Sequence, residues 1–302
     1  LAQIVAAERG WRPRREILDR VERLVGFLEQ ADSFNGVFPH FMNGTTGRVQ
    51  PFAPGDDGGD LVETAFLMLG LLGAAAFFPE EPAIVQRIEA LYESVNWAAH
   101  LREDGAVMWH HHPDRPWPPH ALPIRGWNEA FPVFVLGAGS RSHPIPASSY
   151  HQSWAMAPAF RNGRDYGGTV LPLGPDWGGP LFLSQYPFLG IDPRGLRDAY
   201  ADYGVQARAH ALVNRHHCLT NPGGWAGYGP DCWGLTASDD PGGYVAHSPT
   251  EDTGTITPTA ALGSFPFAPA EAMPVLRHLH DDLGERIWGE AGFVDAFCPT
   301  RD

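Results

Sequence analysis

The 302-residue sequence predicts an all-α protein in which buried inner helices are ringed by outer helices. Its apolar segments are of two kinds, because some are apolar on every side and others on one face only, and two concentric rings of helices need both kinds. No segment shows the sustained alternation and β-branched enrichment of a strand. Long loops rich in glycine and proline separate the helices, and such loops are usually functional. No linker-like break in composition divides the chain, so we expect one domain over residues 1–302.

Helical periodicity and proline positions define the elements in order. The segment 61–78 is apolar on all sides and is the candidate inner helix, and Pro79 ends it. Pro82 suits the first turn of the next helix. The predicted helices are 14–31, 61–78, 82–101, 128–136, 148–160, 197–219, 257–263 and 269–283. The predicted loops are 34–55, 102–126, 161–193 and 220–256.

Composition excludes several functions. All 21 basic residues are Arg, and the absence of Lys excludes a Schiff-base lysine, a phosphate-loop lysine and a kinase-type lysine. The net charge of −14, without a basic block, argues against nucleic acid and anionic membranes as partners. No uninterrupted apolar run reaches the ~18 residues of a membrane span, so we expect no membrane insertion. Cys218, Cys232 and Cys298 are too far apart and too few for a disulfide framework or a zinc knuckle.

The sequence begins at Leu1 rather than at Met, so a signal peptide could have been removed. This slightly favours a periplasmic or secreted location over a cytoplasmic one. The oligomeric state stays open.

An acidic, glycine-rich stretch, residues 56–63, precedes the inner helix. Asp60 followed by Glu63 is a capping-box pattern, and acids at a helix start suit its dipole. Capping leaves Asp56 and Asp57 unexplained, so a functional cluster is the alternative. A calcium loop has enough oxygen atoms, but the spacing is not that of an EF-hand.

Two further stretches combine aromatic and carboxylate groups. In residues 126–130, Asn128 could cap a helix, or Glu129 beside Trp127 could have a pKa raised by desolvation, as a general acid needs. In residues 225–244, aromatic side chains and Asp239 suit a carbohydrate, whose CH faces stack on aromatic rings. The alternative there is a glycine-rich loop whose aromatics close one end of the helical barrel.

The histidines show no paired metal motif, so we expect core or surface histidines and no metal or other cofactor. They are His110, His111, His112, His216, His217, His278 and His280. No Gly-x-Ser-x-Gly elbow is present, which argues against a serine hydrolase.

Several motifs together resemble the bacterial glucoamylase-like glycoside hydrolases, the group that contains endo-β-1,2-glucanases. They keep the family's order over nearly the whole chain. They are Phe38-Pro39-His40-Phe41, Asp56 to Thr64, Trp127-Asn128-Glu129-Ala130, Ser142-His143-Pro144-Ile145, Gly224-Trp225 to Asp239, Gly254 to Ala261, and Trp288-Gly289 to Asp295-Ala296-Phe297.

The resemblance implies an (α/α)6 barrel with long functional loops at one end and an anomer-inverting hydrolase of β-glucans, with β-1,2-linked glucan or sophorooligosaccharides as the expected substrate. It implies Glu129 as the acid and Asp239 as the base. Asp56, Asp60 and Glu63 match a supporting acidic cluster; capping and the helix dipole should keep Asp60 and Glu63 ionised. The expected substrate-binding residues are His40, Trp127, Asn128, Gln185, Tyr186, Arg194, Trp225, Tyr228 and Trp233.

One segment departs from the family pattern. Where the family has His-Gln-Tyr-Ser-His followed by Trp-Ile-Asp-Phe-Arg-Gly, this chain has residues 184–195, which lack both histidines and the tryptophan. The preferred linkage or chain length could therefore differ. The alternative functions are a glycosyl-transferring or phosphate-using relative on the same barrel, and a sugar-binding protein without catalysis.

Overall fold

A computed structural model describes residues 1–51, 54–112, 114 and 121–299. Within these residues the chain is rich in helices, and its short strands form antiparallel pairs. The predicted helical class is thereby confirmed in its coarse form. Two compact units are distinguished, unit 1 (Leu1–Arg125 with Ala130–Ala157) and unit 2 (Gly126–Glu129 with Pro158–Asp302). The expectation of a single domain stays a prediction.

Unit 1 is built around the predicted inner helix. In chain order its elements are α1 (Ala2–Glu8), α2 (Arg14–Leu28), β1 (Gly59–Asp60), α3 (Leu61–Phe77), α4 (Pro82–Ser94), β2 (His110–His111), α5 (Phe131–Gly139) and α6 (Ala147–Ser149). Helix α3 contacts α1, α4 and α5. Its Leu61, Val62 and Met68 are fully buried, and each such side chain contributes about 1.5–3 kcal/mol of burial free energy. The prediction of a buried helix at 61–78 is confirmed.

Unit 2 combines helices with three β-hairpins. Its elements are β3 (Arg161–Tyr166), β4 (Thr169–Leu173), α7 (Tyr203–Thr220), β5 (Ala237–Asp240), β6 (Gly243–Ala246), α8 (Pro258–Leu262), α9 (Pro269–Arg277), α10 (Gly284–Ile287), β7 (Trp288–Gly289) and β8 (Gly292–Phe293). Strand β4 packs against α7. A buried cluster that includes Trp233, Ile256 and Leu279 forms a core of this unit.

Two segments that were predicted as loops contain hairpins. Strands β3 and β4 are joined by Gly167 and Gly168, whose φ angles of 65° and 89° suit a two-residue hairpin turn. Strands β5 and β6 lie inside the predicted loop 220–256. Each of these two strands has only four residues, too few to show sustained alternation, so only the turn residues carried a signal.

Several helix boundaries also differ from the prediction. The helix predicted from 197 begins at Tyr203, because the side chain of Asp202 accepts the backbone N–H of Val205 at 3.1 Å and caps it there. The helix predicted from 128 begins at Phe131, with Pro132 in its first turn. The segment predicted as one helix over 148–160 is α6 followed by a π-helical turn, Tyr150–Ala155. No described helix is both long enough and apolar enough to cross a membrane.

Candidate active site

The hairpin of β5 and β6 points two neighbouring aspartates in opposite directions. Asp239 pairs with Tyr244 and Asp240 pairs with Gly243 in the antiparallel register. Successive residues of a strand project to opposite faces, while directly paired residues share a face. Asp239 and Tyr244 therefore lie side by side on one face, and Asp240 lies on the other.

Asp240 is held by the protein. Its Oδ1 accepts hydrogen bonds from the hydroxyls of Thr255 at 2.7 Å and Thr253 at 2.8 Å, and lies 3.3 Å from Nε2 of His247. These hydroxyl hydrogen bonds lower the pKa of Asp240 to about 2. The carboxylate thus stays ionised and anchors the turn end of the hairpin, which leaves Asp239 as the aspartate that faces solvent.

Asp239 lies in a group of carboxylates around one phenol. It is exposed, and its backbone N–H donates to Oδ2 of Asp295 at 2.8 Å. The pKa of Tyr244 is raised, first by desolvation and then by the negative charges of Asp295, Glu129 and Asp239. The predicted base, Asp239, is thus the direct strand partner of Tyr244, and the charge of the predicted acid, Glu129, acts on the same side chain.

Glu129 follows a buried aromatic anchor. The side chain of Trp127 is only 3% exposed, and its ring packs against those of Tyr203, Phe160 and Phe188. Trp127 was expected to bind substrate, but its ring is buried among these aromatic neighbours. Asn128 and Glu129, one and two residues further on, are partly exposed. The expected rise in the pKa of Glu129 stays a prediction.

A buried polar network fixes the Trp127 indole. Its Nε1–H donates to Oγ of Ser184 at 3.2 Å, and Nε2 of Gln206 donates to the same oxygen at 3.2 Å. Nε2 of His210 lies 3.2 Å from the carbonyl of Gly179, which can only accept, so Nδ1 of His210 is the acceptor for the Ser184 hydroxyl at 2.8 Å. Burial lowers the pKa of His210 to about 4, which keeps its ring neutral.

In unit 1, Asp60 combines two roles. Its Oδ1 accepts the backbone N–H groups of Val62 and Glu63, each at 3.0 Å, and so caps helix α3. Its own N–H donates to the carbonyl of Phe38 at 2.8 Å. The carboxylate of Glu63 therefore does not complete the predicted capping box, which would need that N–H.

The second carboxylate oxygen of Asp60, Oδ2, is surrounded by three side-chain nitrogen atoms. Oδ2 lies 2.9 Å from Nδ1 of His40, 3.3 Å from Nε2 of His110 and 3.2 Å from Nε1 of Trp109, while Asp60 itself is fully buried. Burial by itself would raise the pKa of Asp60. The hydrogen bonds from His110 and His40 outweigh it and lower that pKa to about 2. The hydrogen bond to Asp60 raises the pKa of His40 in turn.

Glu63 and Asp56 complete the cluster of unit 1 differently than expected. The residue Glu63 is exposed, but desolvation of its carboxyl and the charge of Asp60 raise its pKa. Capping and the dipole were expected to keep both groups ionised. The lowered pKa of Asp60 agrees with this expectation, whereas the pKa of Glu63 shifts in the opposite direction. Asp56 is buried, with 7% of its surface exposed.

The ligand atoms of His40, Asp60 and His110 lie within 4.8 Å of one another, close enough to share a metal ion. The indole of Trp109 also donates to the same Asp60 oxygen. An oxygen that receives an indole N–H is oriented toward donors, so the arrangement fits a hydrogen-bonded cluster better than a metal centre.

Segment 184–195, which departs from the family pattern, contains three of the predicted binding residues, and these differ in contacts and exposure. The amide nitrogen of Gln185 donates to the carbonyl of Ala260 at 2.8 Å and to Oγ of Ser264 at 3.1 Å, which gives it a bracing role. Tyr186 is 48% exposed. Arg194 is exposed and is paired with the carboxylate of Asp192, with Nη2 at 2.6 Å from Oδ2.

Three predicted aromatic residues also differ in exposure. Trp233 is fully buried and its Nε1 lies 3.3 Å from the carbonyl of Glu271, so its expected position on an exposed loop is corrected to the core. Tyr228 is partly buried and donates to Oδ1 of Asp252 at 2.8 Å. Trp225 is partly exposed and packs against Gly254, where a Cβ would come within 2.6 Å of its ring.

Three residues near these groups were missed as candidates: Tyr244, Asp295 and Trp109. Tyr244 could have been found from the Pro241-Gly242 turn, because a two-residue turn pairs it with Asp239. The places of Asp295 and Trp109 depend on contacts between distant parts of the chain, which no local pattern encodes.

A pair of Asp or Glu carboxylates is the usual catalytic apparatus of glycoside hydrolases. The comparisons with known proteins agree. The model of the Glycoamylase family, described as "Putative glucoamylase", matches residues 121–302, which is more than half of the chain. The chain belongs to this family.

Its relatives include proteins with named activities. It is 38% identical to an exo β-1,2-glucooligosaccharide sophorohydrolase (non-reducing end) of Parabacteroides distasonis, over 99% of this chain and 45% of the relative. An endo-β-1,2-glucanase from Chitinophaga pinensis, solved with sophorotriose and glucose, superposes with a TM-score of 0.95 at 41% identity, over 99% of this chain and 74% of that one. A β-1,2-glucanase from P. distasonis superposes with a TM-score of 0.94 at 37% identity, over 98% and 46%. The chain thus spans about half the length of the curated relative.

Proposed function

We propose that this protein is an anomer-inverting glycoside hydrolase that cleaves β-1,2-linked glucooligosaccharides. Glu129 is the general acid and Asp239 the general base. The observation that carries the proposal is that Asp239 is paired with Tyr244 in the hairpin while the charge of Glu129, in the same compact unit, also acts on Tyr244. The names of the relatives support the linkage.

The chemistry assigns one proton transfer to each carboxylate. Glu129 in its acid form protonates the glycosidic oxygen as the bond from the anomeric carbon to that oxygen breaks. A water molecule attacks the anomeric carbon from the opposite face. Asp239 accepts the proton of that water, either directly or through a hydroxyl that relays the proton. The new C–O bond is α because the old one was β. Solvent exposure of Asp239 suits contact with that water.

Within unit 1, we propose a supporting role for the acidic cluster around Asp60. Asp60 is ionised and is hydrogen-bonded to His40, so its part is to orient the His40 ring, whose pKa it raises. Glu63 does not close the capping box, which leaves its carboxyl available. We further propose the (α/α)6 barrel as the architecture of the whole chain, on the strength of the helix pattern and the family resemblance.

A panel of linear β-1,2-, β-1,3- and β-1,4-glucans tests the substrate. We expect product from the β-1,2-linked glucan, and its loss in Glu129→Gln and in Asp239→Asn with the helical circular dichroism unchanged. Removing either the acid or the base typically costs 10²–10⁴-fold in rate. The matched control is Glu285→Gln, an exposed carboxylate on α10, which should keep parental activity. Near-parental turnover in either site variant would refute the assignment.

The same panel separates the other functions. Products longer than the substrate would indicate glycosyl transfer, and a phosphate requirement would indicate phosphorolysis. Binding of glucan without product from any linkage would indicate a sugar-binding protein without catalysis.

A further inference from the structure

Tyr244 is an exposed aromatic residue in an acidic neighbourhood. Its side chain is 72% exposed, whereas Trp127, Trp233 and Tyr203 of the same unit are buried. Single exposed aromatics are ordinary on protein surfaces. The exposure of Tyr244 gains meaning from its position, which the hairpin fixes.

The hairpin places the Tyr244 ring beside the proposed base. Tyr244 pairs directly with Asp239, and the Cβ atoms of such pairs lie about 4.5–5.5 Å apart on the same face. On the other face, Asp240 accepts hydrogen bonds from the hydroxyls of Thr253 and Thr255. These bonds fix which face of the hairpin carries Asp239 and Tyr244. Asp295 holds the Asp239 backbone from a third direction. The position of the Tyr244 ring beside Asp239 is therefore set by the hairpin backbone and by Asp240, and the ring itself takes no part in these contacts.

The surroundings also fix the chemical state of the ring. Desolvation, and then the charges of Asp295, Glu129 and Asp239, raise the pKa of Tyr244 above its ordinary value. The phenol therefore stays uncharged at neutral pH in an acidic neighbourhood. A pyranose has the matching pattern, with CH groups on its faces and hydroxyls around its edge.

We propose that Tyr244 is a substrate-binding residue that stacks on the sugar ring positioned between Glu129 and Asp239. The inference rests on the proposed function and assigns the stacking contact to one residue of the aromatic stretch 225–244. Stacking presents the edge of the ring, where the hydroxyls and the glycosidic oxygen lie, to the carboxylates. The residue thereby couples sugar binding to the proposed acid and base.

Binding to an inactive background tests the stacking separately from catalysis. The affinity of Glu129→Gln for a β-1,2-linked glucooligosaccharide is measured by calorimetry, alone and combined with Tyr244→Phe or Tyr244→Ala. The ring is kept in the first double variant, so its affinity should stay within about twofold, and the second should bind about tenfold more weakly, the size of an aromatic stacking contact. Trp288→Ala, which removes another exposed aromatic of unit 2, is the control and should have no effect.

The outcomes distinguish the two proposals. Turnover by Glu129→Gln refutes the proposed acid, whereas the binding series still reports on Tyr244. Affinity of the Tyr244→Ala variant within twofold of its background overturns the stacking, as does a loss in Tyr244→Phe equal to that in Tyr244→Ala, since the hydroxyl would then be the contact. Absence of glucan binding in the folded Glu129→Gln protein overturns both proposals.

Discussion

Replacing Asp60 with Asn should destabilise unit 1 in a way that depends on pH. Asparagine keeps an oxygen that can cap α3, and it is as good an N-cap as aspartate. What it removes is the negative Oδ2, which lies 2.9 Å from His40, 3.2 Å from Trp109 and 3.3 Å from His110. The substitution therefore removes the contribution of the negative charge while it keeps the helix cap.

The magnitude follows from the pKa of Asp60. Folding lowers this pKa from 3.8 to about 2. A tenfold change in an acid dissociation constant corresponds to about 1.4 kcal/mol, so the ionised group stabilises the fold by about 2 kcal/mol. Because the pKa is lowered in the folded state, this contribution is complete well above pH 3.8 and is lost as the pH falls through about 2. At pH 3 roughly half of it should remain.

Urea unfolding followed by circular dichroism measures the effect. The difference between the parent and Asp60→Asn should be about 2 kcal/mol at pH 7 and roughly half of that at pH 3. The control is Asp19→Asn, which removes an exposed pair with Arg15 at 2.9 Å and should cost at most about 0.5 kcal/mol. A difference below about 0.5 kcal/mol at pH 7, or one that does not narrow in acid, would refute the reasoning.

Three further results are expected. Ser184→Ala orphans the buried Trp127 indole, so its unfolding free energy should drop by about 1–3 kcal/mol; an unchanged urea midpoint would contradict the network. Asp240→Asn should lower the urea midpoint and Asp239→Asn should not, because only Asp240 is tied to threonine hydroxyls; the reverse order would contradict the assignment of the two faces. Dialysis against EDTA should leave glucan cleavage unchanged; loss that Zn²⁺ restores would instead assign a metal to the cluster around Asp60.

The buried helix α3 could be predicted from the sequence because its information is local. An apolar run on all sides, an aspartate at its start and Pro79 after its end define it within 20 or so residues. The hairpin β5–β6 could not be predicted in the same way, since each strand has only four residues and only their turn gives a signal.

In the candidate site, too, features set by the local sequence could be predicted, and those that depend on tertiary contacts could not. Glu129 and Asp239 were named through the family resemblance, whereas the reason to prefer Asp239 over its neighbour Asp240 is the strand register. Burial of Trp127 and Trp233 was missed because an aromatic in a glycine-rich segment is expected to be exposed unless its tertiary neighbours are known. Glu63 was expected to close a capping box, but the Asp60 N–H is used by Phe38, a residue 22 positions earlier in the chain.

The most direct test of the proposed function is time-resolved proton NMR of a β-1,2-linked glucan during cleavage. A Glu129 acid with an Asp239 base that acts from the opposite face predicts that the new reducing ends appear first as the α-anomer and then mutarotate. Initial release of the β-anomer would contradict that geometry, and no release at all would contradict the hydrolase.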